Sequence, residues 1–236
     1  MPYDPSPRDA KVRRFLEANR YQQFGQVGDY SAFDGATGCT HVCWQKIAQL
    51  WTGKKYTIDQ ISKFAGYYRE RNEDGVIRGM NAGEAQRLVN TLNLPYAIKF
   101  DMPWEEIWER IDKGPVLYAV RYGSEPDWRG YVYNGHRADG SPNGFARQAG
   151  RTQLTGFENG AHAVVGAAKI AMRSSTGNLV RTDLFRVDPN HGSGSRPEKP
   201  PYDIISSAQG KKEYNDYRDR LGRRLMAWVP TKSLPA

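Results

Sequence analysis

An α+β fold is predicted by three observations. The first half of the chain carries apolar side chains at helical spacing, in runs bounded by cap and stop residues. The second half carries three apolar runs rich in β-formers, PVLYAVRYG, HAVVGAAKI and NLVRTDLFRV. The helical runs come first and the strand runs follow, without strict alternation. The chain has 236 residues, 39% of them hydrophobic, which is enough to bury one core without covalent staples.

Taken in order, residues 1–8 hold three prolines and read as a loose arm. Residues 9–20, DAKVRRFLEANR, place Val12, Phe15 and Leu16 on one side of a short helix. YQQFGQVGDYSAFDGATG is loop-like. A helix follows from about Thr40 to Trp51 and is stopped by Gly53. In YTIDQISKFAGYYRE, Thr57 with Gln60 three residues on makes a capping-box start. GMNAGEAQRLVNTLNLP sets Ala85, Leu88, Val89 and Leu92 at helical spacing. YAIKF is a short strand. PWEEIWERIDKG is a helix with Pro103 near its first turn and Gly114 beyond its end.

PVLYAVRYG is a continuous apolar run and so a buried strand. Residues 123–160 are dense in Gly, Asn, Asp, Pro and Arg, which predicts a surface insertion with a hairpin. HAVVGAAKI and NLVRTDLFRVDPN then form adjacent strands joined by the polar turn MRSSTG. HGSGSRPEKPPYD reads as loop, and SSAQGKKEYNDYRDRLGRRLMAWVP as a closing helix or a helix plus strand. The expected organisation is an arm and short helix over 1–33, a main domain over 34–192 containing the 123–160 insertion, and a C-terminal extension over 193–236.

The net charge of +8 favours anionic partners: nucleic acid, anionic wall polymers or an acidic protein surface. The basic run KKEYNDYRDRLGRR is interrupted by acidic residues, so a solvated helix face is expected there and nucleic-acid binding is not. The N-terminus has no apolar signal core, and no run is long enough to cross a membrane. Cytoplasmic synthesis without a signal peptide is expected. Two cysteines make no disulfide framework.

Both cysteines lie in CTHVC, at the start of the helix that begins near residue 40. Cysteines four apart on a regular helix do not meet disulfide geometry. A metal site would need a second Cys/His pair, but His41, His136, His162 and His191 are scattered. Neither metal nor cofactor is expected. Cys43 shares an apolar stripe with Ile47, Leu50 and Trp51 and fits a core position. Cys39 sits at the helix N-terminus, where unpaired N–H groups and the helix dipole favour a thiolate. The same N–H groups suit an oxyanion. On the cysteine alone, an idle residue at a helix start remains the alternative.

A nucleophilic cysteine needs a base, held in turn by a carboxylate or amide. His162 opens HAVVGAAKI, and Asp188 closes the next strand before a proline. Antiparallel pairing of the two strands puts the start of one beside the end of the other. His162 and Asp188 are therefore expected as neighbours, with the carboxylate orienting the imidazole.

The order of these features resembles the papain-like cysteine peptidases, and within them the bacteriocin-processing C39 type. The residues that carry the resemblance are CTHVC with WQKIAQLWTGKKYTIDQI after it, the GPV strand, HAVV, and VDP, spanning about 34–192. The resemblance implies a papain-like α+β fold, with a central Cys-bearing helix packed on an antiparallel sheet. It implies Cys39 as nucleophile, His162 as base and Asp188 as orienting residue. Cys43-Trp44 also echoes the Cys-Trp of papain itself, which makes Cys43 the second choice for the nucleophile. The family places an oxyanion glutamine shortly before the cysteine. Here position 33 is Phe, Asp34 follows it, and Gln26 lies further back. Asp34 and Gln26 are the oxyanion candidates.

The function expected is thiol-dependent cleavage of a peptide bond in a protein or in peptidoglycan peptide, in a phage or bacterial setting. The alternative is a peptidase-like fold of weak or no activity, serving as a binding subunit of a larger assembly such as a virion or tail. Among the aromatics, Trp104 and Trp108 are expected in the core. Trp128 and Tyr131, in the polar insertion, are candidates for substrate contact.

Overall fold

The computed structural model describes residues 3–4, 7–18, 38–67, 79–121, 131–133, 145–147, 161–189, 202–221 and 225–235. The helical half is built from α1 (Pro7–Ala18), α2 (Cys39–Thr52), α3 (Ile58–Ala65) and α4 (Ala82–Thr91). Gly53 ends α2 at φ 69°, donating its N–H to Gln49. Only a residue free of a Cβ takes that left-handed stop without strain. Both halves of the Thr57–Gln60 capping box are made, at 3.1 and 2.9 Å. A second box, Asn81 with Glu84, starts α4.

The sheet is antiparallel. Its strands are β1 (Tyr3–Asp4), β2 (Tyr96–Phe100), β3 (Val116–Arg121), β6 (Ala161–Arg173), β7 (Leu179–Val187), β8 (Tyr202–Ser206) and β9 (Met226–Pro230). The order is β2-β9-β3-β6-β7-β8, and β1 pairs with the far end of β6. Inside the insertion, β4 (Tyr131–Tyr133) pairs antiparallel with β5 (Phe145–Arg147) as a separate ribbon. The remaining helices are α5 (Trp104–Arg110) and α6 (Ser207–Leu221).

Three segments are more ordered than the sequence suggests. The first residues are no loose arm: Tyr3 pairs with Met172, α1 already begins at Pro7, and Val12 is fully buried. Tyr202 and Asp203, placed in a loop by the two prolines before them, open β8 against Val187 and Arg186. Most consequential, residues 226–230 lie inside the sheet. β9 fills the slot between β2 and β3, with Trp228 opposite both Ile98 and Leu117. Tyr214, Leu225 and residues 227–229 are thus buried together with side chains of the main domain. The reason is alternation: Trp228 packs on one face of the sheet, while Ala227 and Val229 pack on the other.

Those faces define two cores. Helices α1 to α4 cover one face, with Val12, Trp44, Ile47, Ile61 and Leu88 among its buried residues. Helices α5 and α6 cover the other, around Trp104, Ile107, Tyr118 and Tyr214. Trp44 stands edge-on to Tyr96 and Trp228, with ring centroids 5.5 and 5.3 Å away. Strand β6 serves both cores, sending Ala163, Val165 and Ala167 toward α2 and Val164 to the opposite side. Its register shifts between Gly166 and Ala168. A Cβ at Gly166 would lie 2.9 Å from Ile111 Cδ1, so Ile111 would have to shift to admit a side chain here.

The architecture is therefore α+β, with a cysteine-bearing helix on an antiparallel sheet. No helix among the described residues is long and apolar enough to cross a membrane. A chain ending at residue 192 should lose cooperative thermal unfolding, because β2 and β3 would face each other across an empty slot lined by apolar groups. Circular dichroism melting of the shortened and full chains checks this, and a cooperative transition in the shortened chain would contradict it.

Candidate active site

The N-cap residue of α2 is Gly38, which has no side chain to cap the helix. Gly38 precedes it in a near-helical conformation (φ −80°, ψ −2°) and only accepts the Val42 N–H, at 3.0 Å. The first N–H groups of a helix have no acceptor within the helix, and here they converge around residue 39. Cys39 is half-buried, so its sulfur is neither solvated like a surface thiol nor sealed in the core.

The sheet meets this helix end at Ala163. The Ala163 N–H donates to Cys39 Sγ at 3.5 Å, and Cys43 Sγ donates to the Ala163 carbonyl at 3.4 Å. One residue of β6 thus has both main-chain groups engaged by the two cysteines. This is possible because the ladder with β7 runs only as far as the Val165–Val187 pair. Asp188 and Pro189 then leave the strand, and proline has no N–H with which to continue a ladder. Sulfur atoms take the positions that a further strand residue would fill.

His162 is bonded directly to Ala163 and sits opposite Val120 in β3. Its backbone is brought near Cys39 by the peptide link to Ala163, at the end of the β6–β7 ladder. Asp188, half-buried, follows the last β7 pair. Cys43 is sealed from solvent, and its pKa is raised well above the ordinary thiol value, first by burial and then by the negative charges of Cys39 and Asp188. That influence places Asp188 within electrostatic reach of the cysteine pair. Cys39, Cys43, the 162–163 backbone and Asp188 are therefore gathered at one end of α2.

Cys43 is fully buried on the apolar stripe, with Ile47 also buried one turn on, which fits the core role expected for it. A buried thiol held protonated is a poor nucleophile. Gln26, Asp34 and Trp128 lie outside the described residues, as does the side chain of His162. Tyr131 is described only as backbone, paired with Arg147. Trp104 is buried and Trp108 packs against the same core, with Lys169 Nζ 4.9 Å from the Trp108 ring centroid. His41 is buried edge-on to Tyr67 at 4.6 Å. Among the described residues, no group of three or more His, Cys, Asp and Glu is placed to hold a metal ion.

Sequence reasoning missed the part played by Ala163, because a main-chain group has no residue signature. The signal available for it was Pro189, which marks where the neighbouring strand stops pairing.

No family model matches the chain, and no curated protein matches it. Among solved structures, it is similar to a Bacillus anthracis protein described as a "putative C39-like peptidase". The two are 11% identical over 84% of this chain and 90% of the other, with a TM-score of 0.44.

Two outcomes are expected from the thiols. Iodoacetamide should modify Cys39 in the folded protein and spare Cys43 up to about pH 9, as read by peptide mass mapping. Stability should also fall at alkaline pH. The unfolded chain loses the Cys43 proton near pH 9.0 while the folded protein keeps it, so unfolding gains up to about 1.4 kcal/mol for each pH unit above that value. The Tyr96 phenol, buried and likewise raised, adds to the loss at still higher pH. Cys43→Ser removes the thiol share, and its chemical-denaturation curve should show a shallower alkaline decline.

Proposed function

We propose that this protein is a thiol-dependent peptidase, with Cys39 as nucleophile, His162 as general base and Asp188 as the carboxylate that orients the imidazole. The observation that carries the reading is the contact between the Ala163 N–H and the Cys39 sulfur. It sets the N-terminus of α2, a half-buried thiol and the residue bonded to His162 in one place.

The chemistry follows from those groups. His162 takes the Cys39 proton, and the thiolate attacks the amide carbonyl, forming a C–S bond as the π electrons move to oxygen. The Cys39 N–H at the helix terminus donates to that oxygen. Collapse of the tetrahedral species breaks the C–N bond, and the leaving amine takes a proton from the His162 imidazolium. Water, deprotonated by the same imidazole, then cleaves the thioester and restores the thiol. A net charge of +8 suits a substrate with anionic surroundings, such as cell-wall peptidoglycan peptide.

The test is incubation with purified peptidoglycan and with a peptide library. The wild type should release new amino termini, and Cys39→Ala and His162→Ala should each lower the rate by about a thousandfold or more. A vinyl sulfone should form an adduct at Cys39 alone. Failure of the wild type both to cleave and to take the electrophile at Cys39 would overturn the reading in favour of a binding subunit.

A further inference from the structure

We infer that Cys43 is a positioning residue for the Cys39 thiol. Its S–H holds the Ala163 carbonyl, so that the N–H of the same residue stays aimed at the Cys39 sulfur. The inference rests on Cys39 as the reactive thiol and needs no substrate.

The geometry is a two-ended clamp. Cys43 donates to the Ala163 oxygen at 3.4 Å and Cys39 receives the Ala163 N–H at 3.5 Å. Residue 163 lies beyond the last rung of the β6–β7 ladder, so β7 does not fix its main chain there. What anchors it on that side is the Cys43 thiol, one helical turn below Cys39 and on the same face of α2. A hydrogen bond donated to a thiolate favours the charged form. β3 pairs with the other edge of the strand, Ala119 lying opposite Ala163, so loss of the Cys43 donor acts on the α2 side alone: it leaves the Ala163 carbonyl buried without that partner, and a tilt of the strand end to find another withdraws the N–H from Cys39.

The clamp needs Cys43 to be protonated at working pH, because a thiolate cannot donate. Burial, with the charges of Cys39 and Asp188, keeps it so. Among the described residues, the ionisable groups tied to Cys39 by position or charge are Cys43 and His41 on its own helix and Asp188 after β7. Of these, only Cys43 has a described hydrogen bond to Ala163.

The experiment is the pH dependence of Cys39 alkylation in the full chain, followed by mass spectrometry. Wild type, Cys43→Ser and Cys43→Ala are compared, with thermal melting alongside. Serine keeps a donor where alanine has none. The midpoint for Cys43→Ala should rise by about half a pH unit or more, which is about a threefold loss of thiolate below it. Cys43→Ser should lie close to wild type. The shape-matched pair Cys43→Thr and Cys43→Val should divide in the same way, and gives the contrast if the alanine variant does not fold. A purely structural Cys43 would lower the melting temperature and leave every midpoint in place, which overturns the inference. Equal shifts in the donor-bearing and donor-free variants overturn it as well. Loss of peptide cleavage with the midpoint contrast intact would instead count against the peptidase reading alone.

Discussion

The site depends on how the first turn of α2 is seated against Ala163 of β6. The helix end supplies the positive pole of its dipole, and the strand supplies an N–H that points at the sulfur. Neither element makes the environment alone. A helix terminus in solvent would have its field damped by water, and a strand end in solvent would hydrogen-bond to water. Packed together, with Cys39 half-buried, they leave a thiol among oriented dipoles in a region of reduced dielectric, where such dipoles act more strongly.

The rest of the molecule keeps that contact in register. Small residues on β6, Ala163 and Ala167 among them, allow α2 to lie close to the sheet. Trp44, one position after Cys43, is wedged between Tyr96 and Trp228 and fixes the rotation of the helix. Tyr96 is itself held: it accepts from Trp51 Nε1 at 3.0 Å and donates to the Pro115 carbonyl at 2.6 Å. On the far side, Arg186 of β7 pairs with Glu213 of α6, and the Tyr214 hydroxyl donates to Met102 at 2.7 Å. The strand that carries His162 is thus packed from both faces.

What the sequence made legible was local. The Thr57–Gln60 box, the Gly53 stop and the helix after Pro103 are written within a few consecutive residues, and each forms where expected. The hairpin of β6 and β7 was legible too, because its strands are joined by a short turn. The pairing of MAWVP with both YAIKF and PVLYAV was not, since those partners lie more than a hundred residues away and nothing local distinguishes an inner strand from an edge strand. The same limit applies to Tyr3 against Met172. At the site, Cys39 stood out from its place at the helix start, and Asp188 from its place at a strand end. The hydrogen bonds that tie the cysteines to the sheet run to a main-chain group of an alanine, which a reading of side-chain chemistry does not see.

The position of β9 between β2 and β3 has a consequence for biogenesis. Translation must run past residue 230 before the two halves of that sheet can close around their middle member. Until then two strands offer open, apolar edges while the cysteine helix has already been made. Order of manufacture and order of assembly are therefore opposed: the thiol emerges early, and the platform that would organise it is finished last. A nascent chain of this design completes the sheet behind Cys39 only when nearly all of it has been made.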